Sequence, residues 1–135
     1  MTMTKKKPVD NASLLWDTLK VSAKWQPVLI YDPAQKEIGS WPIEIKKDLG
    51  SILTLLQKGE NVGMPDVRAM PSVGKGVAEI RVSDASGTYR AFFVVWTRTG
   101  ILVFHGFKKK TQATPKNEID TGKRRLKAFM EELDL

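Results

Sequence analysis

The stretch VAEIRVSDASGTYRAFFVVW, residues Val77 to Trp96, decides the fold, because it contains two strand-like segments joined by the short turn SDASG. Alternate residues of a strand share a face of the sheet. In the first segment one face carries Ala78, Ile80 and Val82, and the other carries Glu79 and Arg81. The second segment is apolar on both faces, so it predicts a central strand that other elements cover on both sides.

A third strand-like segment, ILVFHGF at Ile101–Phe107, follows after the connection TRTG. Short connections between strands favour an antiparallel meander. Upstream, the apolar run WQPVLIYD at Trp25–Asp32 contains Pro27, which suits a short edge strand better than a central one. The sequence therefore predicts an N-terminal edge strand and a three-stranded antiparallel meander.

Two helical segments are expected to cover one face of this sheet. The longer one, from Trp41 to Lys58, is punctuated by Pro42 near its start and Gly59 just after its end. Its apolar residues recur at helical spacing, at Ile45, Leu49, Ile52 and Leu56. A preceding helical turn around 33–38 would complete a helical hairpin. Residues 59–76, rich in glycine and proline, are predicted to form a loop.

The C-terminal segment predicts a final helix, with Thr114 as N-cap and Pro115 at the first helical position. Its apolar side carries Ile119, Leu126, Phe129, Met130 and Leu133, and one flank carries Lys116, Asp120, Lys123 and Lys127. Gly122 in the interior should cost about 1 kcal/mol relative to alanine, so the helix must dock on the rest of the fold. Either this helix or a partner covers the second face of the sheet, and the fold class is α+β.

Length and composition fit one domain. Of 135 residues, we assign 1–24 to an N-terminal extension, with a weak helical pattern at Leu14, Leu15, Thr18 and Leu19, and 25–135 to the domain. Without cysteine the chain has no disulfide or thiolate metal site, and one histidine leaves little for a metal centre. The start MTMTKKKPVD lacks the apolar segment of a signal peptide. We expect a cytoplasmic protein without metal or other cofactor.

The net charge of +7 is concentrated in residues 98–127. This part of the chain contains nine lysines and arginines against Glu118 and Asp120, which is 9 − 2 = +7, and the remainder is neutral on balance. The cations are Arg98, Lys108, Lys109, Lys110, Lys116, Lys123, Arg124, Arg125 and Lys127. Such clustering favours a polyanionic partner such as nucleic acid.

The side chains available restrict the chemistry. The sequence has no Gly-rich phosphate loop with its lysine, no histidine pair and no acidic cluster spaced for magnesium. Arginine, lysine, tyrosine and one histidine remain, which suits metal-free cleavage of a phosphodiester by cationic donors. In RNA the 2′-hydroxyl can be the nucleophile, so a protein need only orient the strand, stabilise charge and move a proton.

The motifs together resemble the phage-derived, toxin-like branch of the RelE/HigB toxin superfamily. They are E-x-R in the first strand, Y-R-x-x-F in the second, and H-G-F-x-K-K-T-x-x-T-P leading into a helix with G-K-R-R-L. The resemblance extends from about Trp25 onward. It implies a compact α+β toxin of a type II toxin–antitoxin pair that cleaves messenger RNA on the ribosome without a metal. A helix-turn-helix antitoxin would neutralise it.

The same resemblance implies roles for individual residues. Arg81 and Arg90 would contact the scissile phosphate, while Lys108, Lys109 and Lys110 would hold the RNA backbone or stabilise the transition state. His105, which titrates near neutrality, is the expected proton-transfer group. The predicted catalytic residues are Arg81, Arg90, His105 and Lys109, and the predicted nucleic-acid-binding residues are Lys108, Lys110, Lys116, Lys123, Arg124 and Lys127. Family members vary in their catalytic residues, and this chain ends in EELDL where some have a tyrosine or histidine.

Structural alternatives stay open for several of these residues. Arg81 could pair with Glu79 or Asp84 on a solvated face, an internal salt bridge could satisfy Arg90, and His105 could be a packed core histidine. At the level of the whole protein, the alternatives are a toxin of the same fold that inhibits a DNA gyrase, and a phage protein that binds nucleic acid without catalysis.

Overall fold

The computed structural model describes residues 25–96, 100–110 and 113–132. Its strands are β1 (Val28–Ile30), β2 (Val67–Ala69), β3 (Val77–Asp84), β4 (Gly87–Trp96) and β5 (Gly100–Lys109). Its helices are α1 (Asp32–Gly39), α2 (Ile43–Gln57) and α3 (Lys116–Glu132). The predicted weak helix around Leu14–Leu19, the turn at 97–99 and Leu133 lie outside the described residues.

The strands form one mixed five-stranded sheet in the order β1-β5-β4-β3-β2. The meander β3-β4-β5 is antiparallel, as predicted, and β2 pairs antiparallel with β3. The edge strand β1 lies parallel to β5, with Val28 opposite Ile101. The central strand β4 pairs with β3 over Gly87–Val94 and with β5 over Thr88–Trp96.

Two hydrophobic cores lie on opposite faces of the sheet. The helical hairpin α1–α2 covers one face, where Ile45 and Leu49 pack with Ile80 and Phe93. Helix α3 covers the other, where Phe129 packs with strand residues. The largest apolar side chains of this second core are Phe92, Phe104, Phe107 and Phe129. The second cover is therefore part of this chain, and the α+β architecture is compatible with a compact RelE-like domain.

The predicted end of α2 is confirmed in detail. Gly59 has φ of 85°, a conformation that glycine adopts at little cost. Its N–H donates to the Leu56 carbonyl, and the Glu60 N–H donates to the Leu55 carbonyl. These two bonds form a Schellman motif, which satisfies carbonyls at the end of the helix.

Strand β5 contains a bulge that affects the site described below. Phe92 of β4 pairs with His105, whereas the next residue, Phe93, pairs with Val103, so β5 has one extra residue at this point. Such a bulge redirects side chains locally. As a result, the side chains of Phe104 and His105 both lie on the face of the sheet that α3 covers.

Two local predictions were wrong. Residues 67–69 form β2, which pairs with Ala78–Ile80 of β3, rather than a loop. The sequence did not predict this strand because three residues are too few to show the alternation of apolar and polar side chains that is typical of a strand. Helix α3 begins at Lys116, and the Pro115 carbonyl accepts the first helical bond, from Ile119. Pro115 thus precedes the helix, while the Thr114 hydroxyl donates to Glu79 instead.

Gly122 lies where α3 touches the sheet. It is buried, and a Cβ at this position would lie 2.8 Å from Phe92 Cδ2 and 3.1 Å from Val73 Cγ1. The glycine that weakens the isolated helix therefore permits its close approach to the sheet. None of the helices in the described part of the chain is both long and apolar enough to cross a membrane.

Candidate functional site

The face of the sheet beneath α3 is organised in rows of cross-strand neighbours. One row contains Arg68, Glu79, Phe92 and His105 from β2, β3, β4 and β5 in turn. The next contains Arg81, Arg90 and Phe107, and the last contains Ser83, Thr88 and Lys109. Helix α3 packs on the first row, with Gly122 against Phe92. The second and third rows together contain three cations and no carboxylate.

We call Arg68, Arg81, Arg90 and Lys109, with the carboxylate of Glu79, the cationic cluster. Arg90 and Lys109 are buried, at 5% exposure each, and Glu79 is 1% exposed. Burial lowers the pKa of Arg90, Glu79 opposes that shift, and Arg81 and Arg68 add to it. The pKa of Lys109 is lowered first by burial and then by Arg90, Arg81 and Arg68, against Glu79. Four cations therefore share one carboxylate within this cluster.

Glu79 anchors the cluster to the segment before α3. One carboxylate oxygen, Oε2, accepts a hydrogen bond of 3.0 Å from the Thr114 hydroxyl. The other, Oε1, lies 4.0 Å from Arg90 Nη1, which is a long ion pair. Glu79 therefore orients Arg90 while also holding the start of the C-terminal segment against the sheet.

Two guanidinium nitrogens of the cluster are not satisfied. The Nε atoms of Arg81 and Arg90 are buried, and neither has a hydrogen-bond partner among the described residues. Within the described ranges, Arg81 Nη1 donates only to the weak acceptor Met64 Sδ, at 3.5 Å. A buried donor without a partner is costly, and the surrounding cations give this part of the sheet a positive potential that favours an anion nearby.

A second polar assembly, the ionic network, consists of Glu37, His105, Glu118 and Arg125. Arg125 donates from Nη1 to Glu37 Oε1 at 2.8 Å and from Nη2 to Glu37 Oε2 at 2.7 Å. The Gly106 N–H also donates to Glu37, at 3.0 Å. Burial raises the pKa of Glu37, but the neighbouring His105, Arg125 and the Gly106 N–H outweigh it and lower the pKa to about 2.

His105 uses both ring nitrogens within this network. Arg125 Nη1 lies 2.9 Å from Nδ1, and since a guanidinium can only donate, Nδ1 is the acceptor. Nε2 then carries the proton and donates to Glu118 Oε1 at 2.7 Å. The ring is 3% exposed and stacks on Phe107. His105 thus connects β5 to α3 and has no nitrogen left for RNA in this geometry.

The structure divides the other predicted residues. It brings Arg81, Arg90 and Lys109 together in the cationic cluster. Lys108 lies on the opposite face of the sheet, with its Nζ 5.6 Å from the centre of the Tyr89 ring. The remaining predicted nucleic-acid-binding residues are all exposed, one after β5 and four on α3: Lys110, Lys116, Lys123, Arg124 and Lys127.

Sequence reasoning missed Arg68 and the ionic network. Arg68 lay in the predicted loop, where only its pairing with Glu79 reveals its place beside Arg90. Glu37 and Glu118 stood in no motif, and Arg125, although part of the G-K-R-R-L motif, could not be paired with Glu37 because the two are far apart in sequence. The described parts of the chain contain no group of three or more potential metal ligands.

A family model matches residues 36–127, which is more than half of the chain, and its description is "Phage derived protein Gp49-like (DUF891)". The chain belongs to this Gp49-like family. The matched range contains every residue of the cationic cluster and of the ionic network. Membership supports the phage-derived, toxin-like character that the sequence motifs suggested. None of the curated proteins matches the chain.

Proposed function

We propose that this Gp49-like protein is the toxin of a type II toxin–antitoxin pair and that it cleaves messenger RNA, on the ribosome and without a metal. A helix-turn-helix antitoxin would hold it inactive, and both partners would act in the cytoplasm. The observation that carries the proposal is the cationic cluster. Its excess of cations and its two buried, unpartnered Nε atoms are complementary to a phosphodiester.

The cluster supplies the groups that cleavage needs. Arg81 and Arg90 would donate to the phosphoryl oxygens as negative charge builds on them, and arginine stays protonated at any physiological pH. Lys109, whose pKa is lowered by burial and by Arg90, would accept the proton of the attacking 2′-hydroxyl. The 2′-oxygen bonds to phosphorus, and the 5′-oxygen leaves and takes a proton from water. The products would be a 2′,3′-cyclic phosphate and a 5′-hydroxyl.

Cleavage of messenger RNA in a translating extract tests this proposal. Purified protein should cut the message, chelation of divalent metals from the purified toxin should not prevent it, and Arg90→Ala should cut at least about 100-fold more slowly. Lys47→Ala is the matched control, because it removes an exposed cation from α2, on the other side of the sheet. Complete cleavage by Arg90→Ala would rule out this mechanism.

The same experiment distinguishes the other functions. Intact RNA together with inhibited DNA supercoiling would identify a gyrase inhibitor of the same fold. Intact RNA and unaffected cell growth on induction would identify a protein that binds nucleic acid without toxicity.

A further inference from the structure

Arg68 is the one member of the cationic cluster on the short edge strand β2, and its side chain is exposed. It pairs across strands with Glu79, so both residues face the same side of the sheet as Arg81 and Arg90. It is close enough to lower the pKa of Arg90 and of Lys109. Arg68 therefore contributes to the positive electrostatic potential of the site and lies at its outer edge.

Nothing in the described part of the chain explains Arg68 as a structural residue. An arginine directly opposite a glutamate on neighbouring strands ordinarily pairs with it. Here Glu79 instead accepts from Thr114 and faces Arg90, and Arg68 makes no hydrogen bond or ion pair with any described residue. Its guanidinium stays available beside a site that already has an excess of cations.

We propose that Arg68 binds a second phosphate of single-stranded RNA, next to the phosphate held by Arg81 and Arg90. Arg68 and Arg81 are diagonal neighbours on β2 and β3, a relation that places two residues about 7–8 Å apart. That separation suits successive phosphates of one strand, each held by its own guanidinium. The inference rests on the proposed function for the assignment of the first phosphate. The inference adds that the site binds two successive phosphates of the RNA backbone.

Binding of uncleavable 2′-deoxy oligonucleotides tests this inference without any catalytic step. A dinucleotide without terminal phosphates offers one phosphodiester, and a tetranucleotide offers three. By NMR titration, Arg68→Ala should bind the tetranucleotide several-fold more weakly than the wild type and bind the dinucleotide equally well. The slope of log K against log salt for the tetranucleotide should fall by about 0.7, the value for one phosphate contact in a single strand.

Two controls sharpen the result. Arg68→Lys should keep the salt slope, because it keeps the charge, and Lys47→Ala should leave both titrations unchanged. Unaltered tetranucleotide binding by Arg68→Ala would overturn the inference, as would an equal loss with both oligonucleotides or a wild-type protein that binds neither. Failure of the proposed function is separate, because it would appear as full RNA cleavage by Arg90→Ala while these titrations still report on Arg68.

Discussion

The ionic network and the cationic cluster lie on the same face of one sheet, but they differ in how completely their charged groups are paired. In the network, Arg125 and His105 contact two carboxylates at 2.7–2.8 Å and each other at 2.9 Å, and the Gly106 N–H donates to Glu37 at 3.0 Å. In the cluster, four cations share Glu79, whose nearest approach to Arg90 is 4.0 Å. The network is satisfied within the fold, whereas in the cluster the Nε atoms of Arg81 and Arg90 have no partner among the described residues.

This difference separates a structural role from a binding role better than residue type does. A satisfied polar network fixes the elements that contribute to it, here α1, β5 and α3. An unsatisfied, like-charged group destabilises the free protein, and we propose that a ligand completes it here. The lone histidine, chemically the more obvious catalyst, belongs to the first assembly, while the second is built from arginines and a lysine.

The largest expected effect comes from breaking the network. Arg125→Met keeps the apolar stem but leaves Glu37 without its bidentate partner, and removal of one member of a largely buried ion pair is strongly destabilising. Because Glu37 and Arg125 are partly exposed, we expect a loss of about 2–3 kcal/mol, measured by urea denaturation. Arg124→Met is the matched control, since Arg124 is the exposed neighbour on α3. Equal stability of the two variants would contradict the structural role of the network.

The next effect is a pH dependence of stability to which Glu37 should contribute. Its folded-state pKa of about 2 lies below its ordinary value of 4.5, so its carboxylate stabilises the fold above that ordinary value. This contribution is lost as pH falls from about 4.5 to about 2. Glu37→Gln should therefore cost about 2 kcal/mol at neutral pH, after allowance for partial exposure, and progressively less in acid. A difference between wild type and variant that is the same at pH 7 and pH 2.5 would refute this assignment.

A smaller effect is expected at Gly122, where α3 crosses the sheet between the two assemblies. Alanine improves helix propensity by about 1 kcal/mol, but its Cβ would lie 2.8 Å from the Phe92 ring, and overpacking costs about 1–3 kcal/mol. We expect Gly122→Ala to destabilise the protein by about 1 kcal/mol in denaturant titration. Gly50→Ala, on α2 with open space around it, should be stabilising instead. Stabilisation by both would show that α3 can move away from Phe92 freely.

The sequence predicted those parts of the molecule whose signals are local. Alternation in β3 identified the face that carries Glu79 and Arg81, and helical spacing together with Gly59 identified α2 and its end. The strand β2 was not predicted, because pairing with β3 stabilises it and its three residues are too short to show a strand pattern in the sequence. The motif residues Arg81, Arg90 and Lys109 meet in the structure, but the partners that commit His105 to the network come from α1 and α3, and only the fold brings them to β5.

The smallest expected change in stability is at Arg81, and there the comparison between the two assemblies is sharpest. Arg81→Met keeps an unbranched side chain of similar length, removes a buried Nε without a partner, and relieves repulsion with Arg90. The free energy of unfolding should therefore stay within about 0.5 kcal/mol of wild type or rise slightly, whereas the same substitution at Arg125 should lower it by several times that amount. RNA cleavage should show the reverse order, with Arg81→Met slowed about 100-fold and Arg125→Met affected only as far as it unfolds. If Arg81→Met instead destabilises the protein as much as Arg125→Met, Arg81 is held by the fold, and the unpartnered Nε atoms do not mark a ligand site.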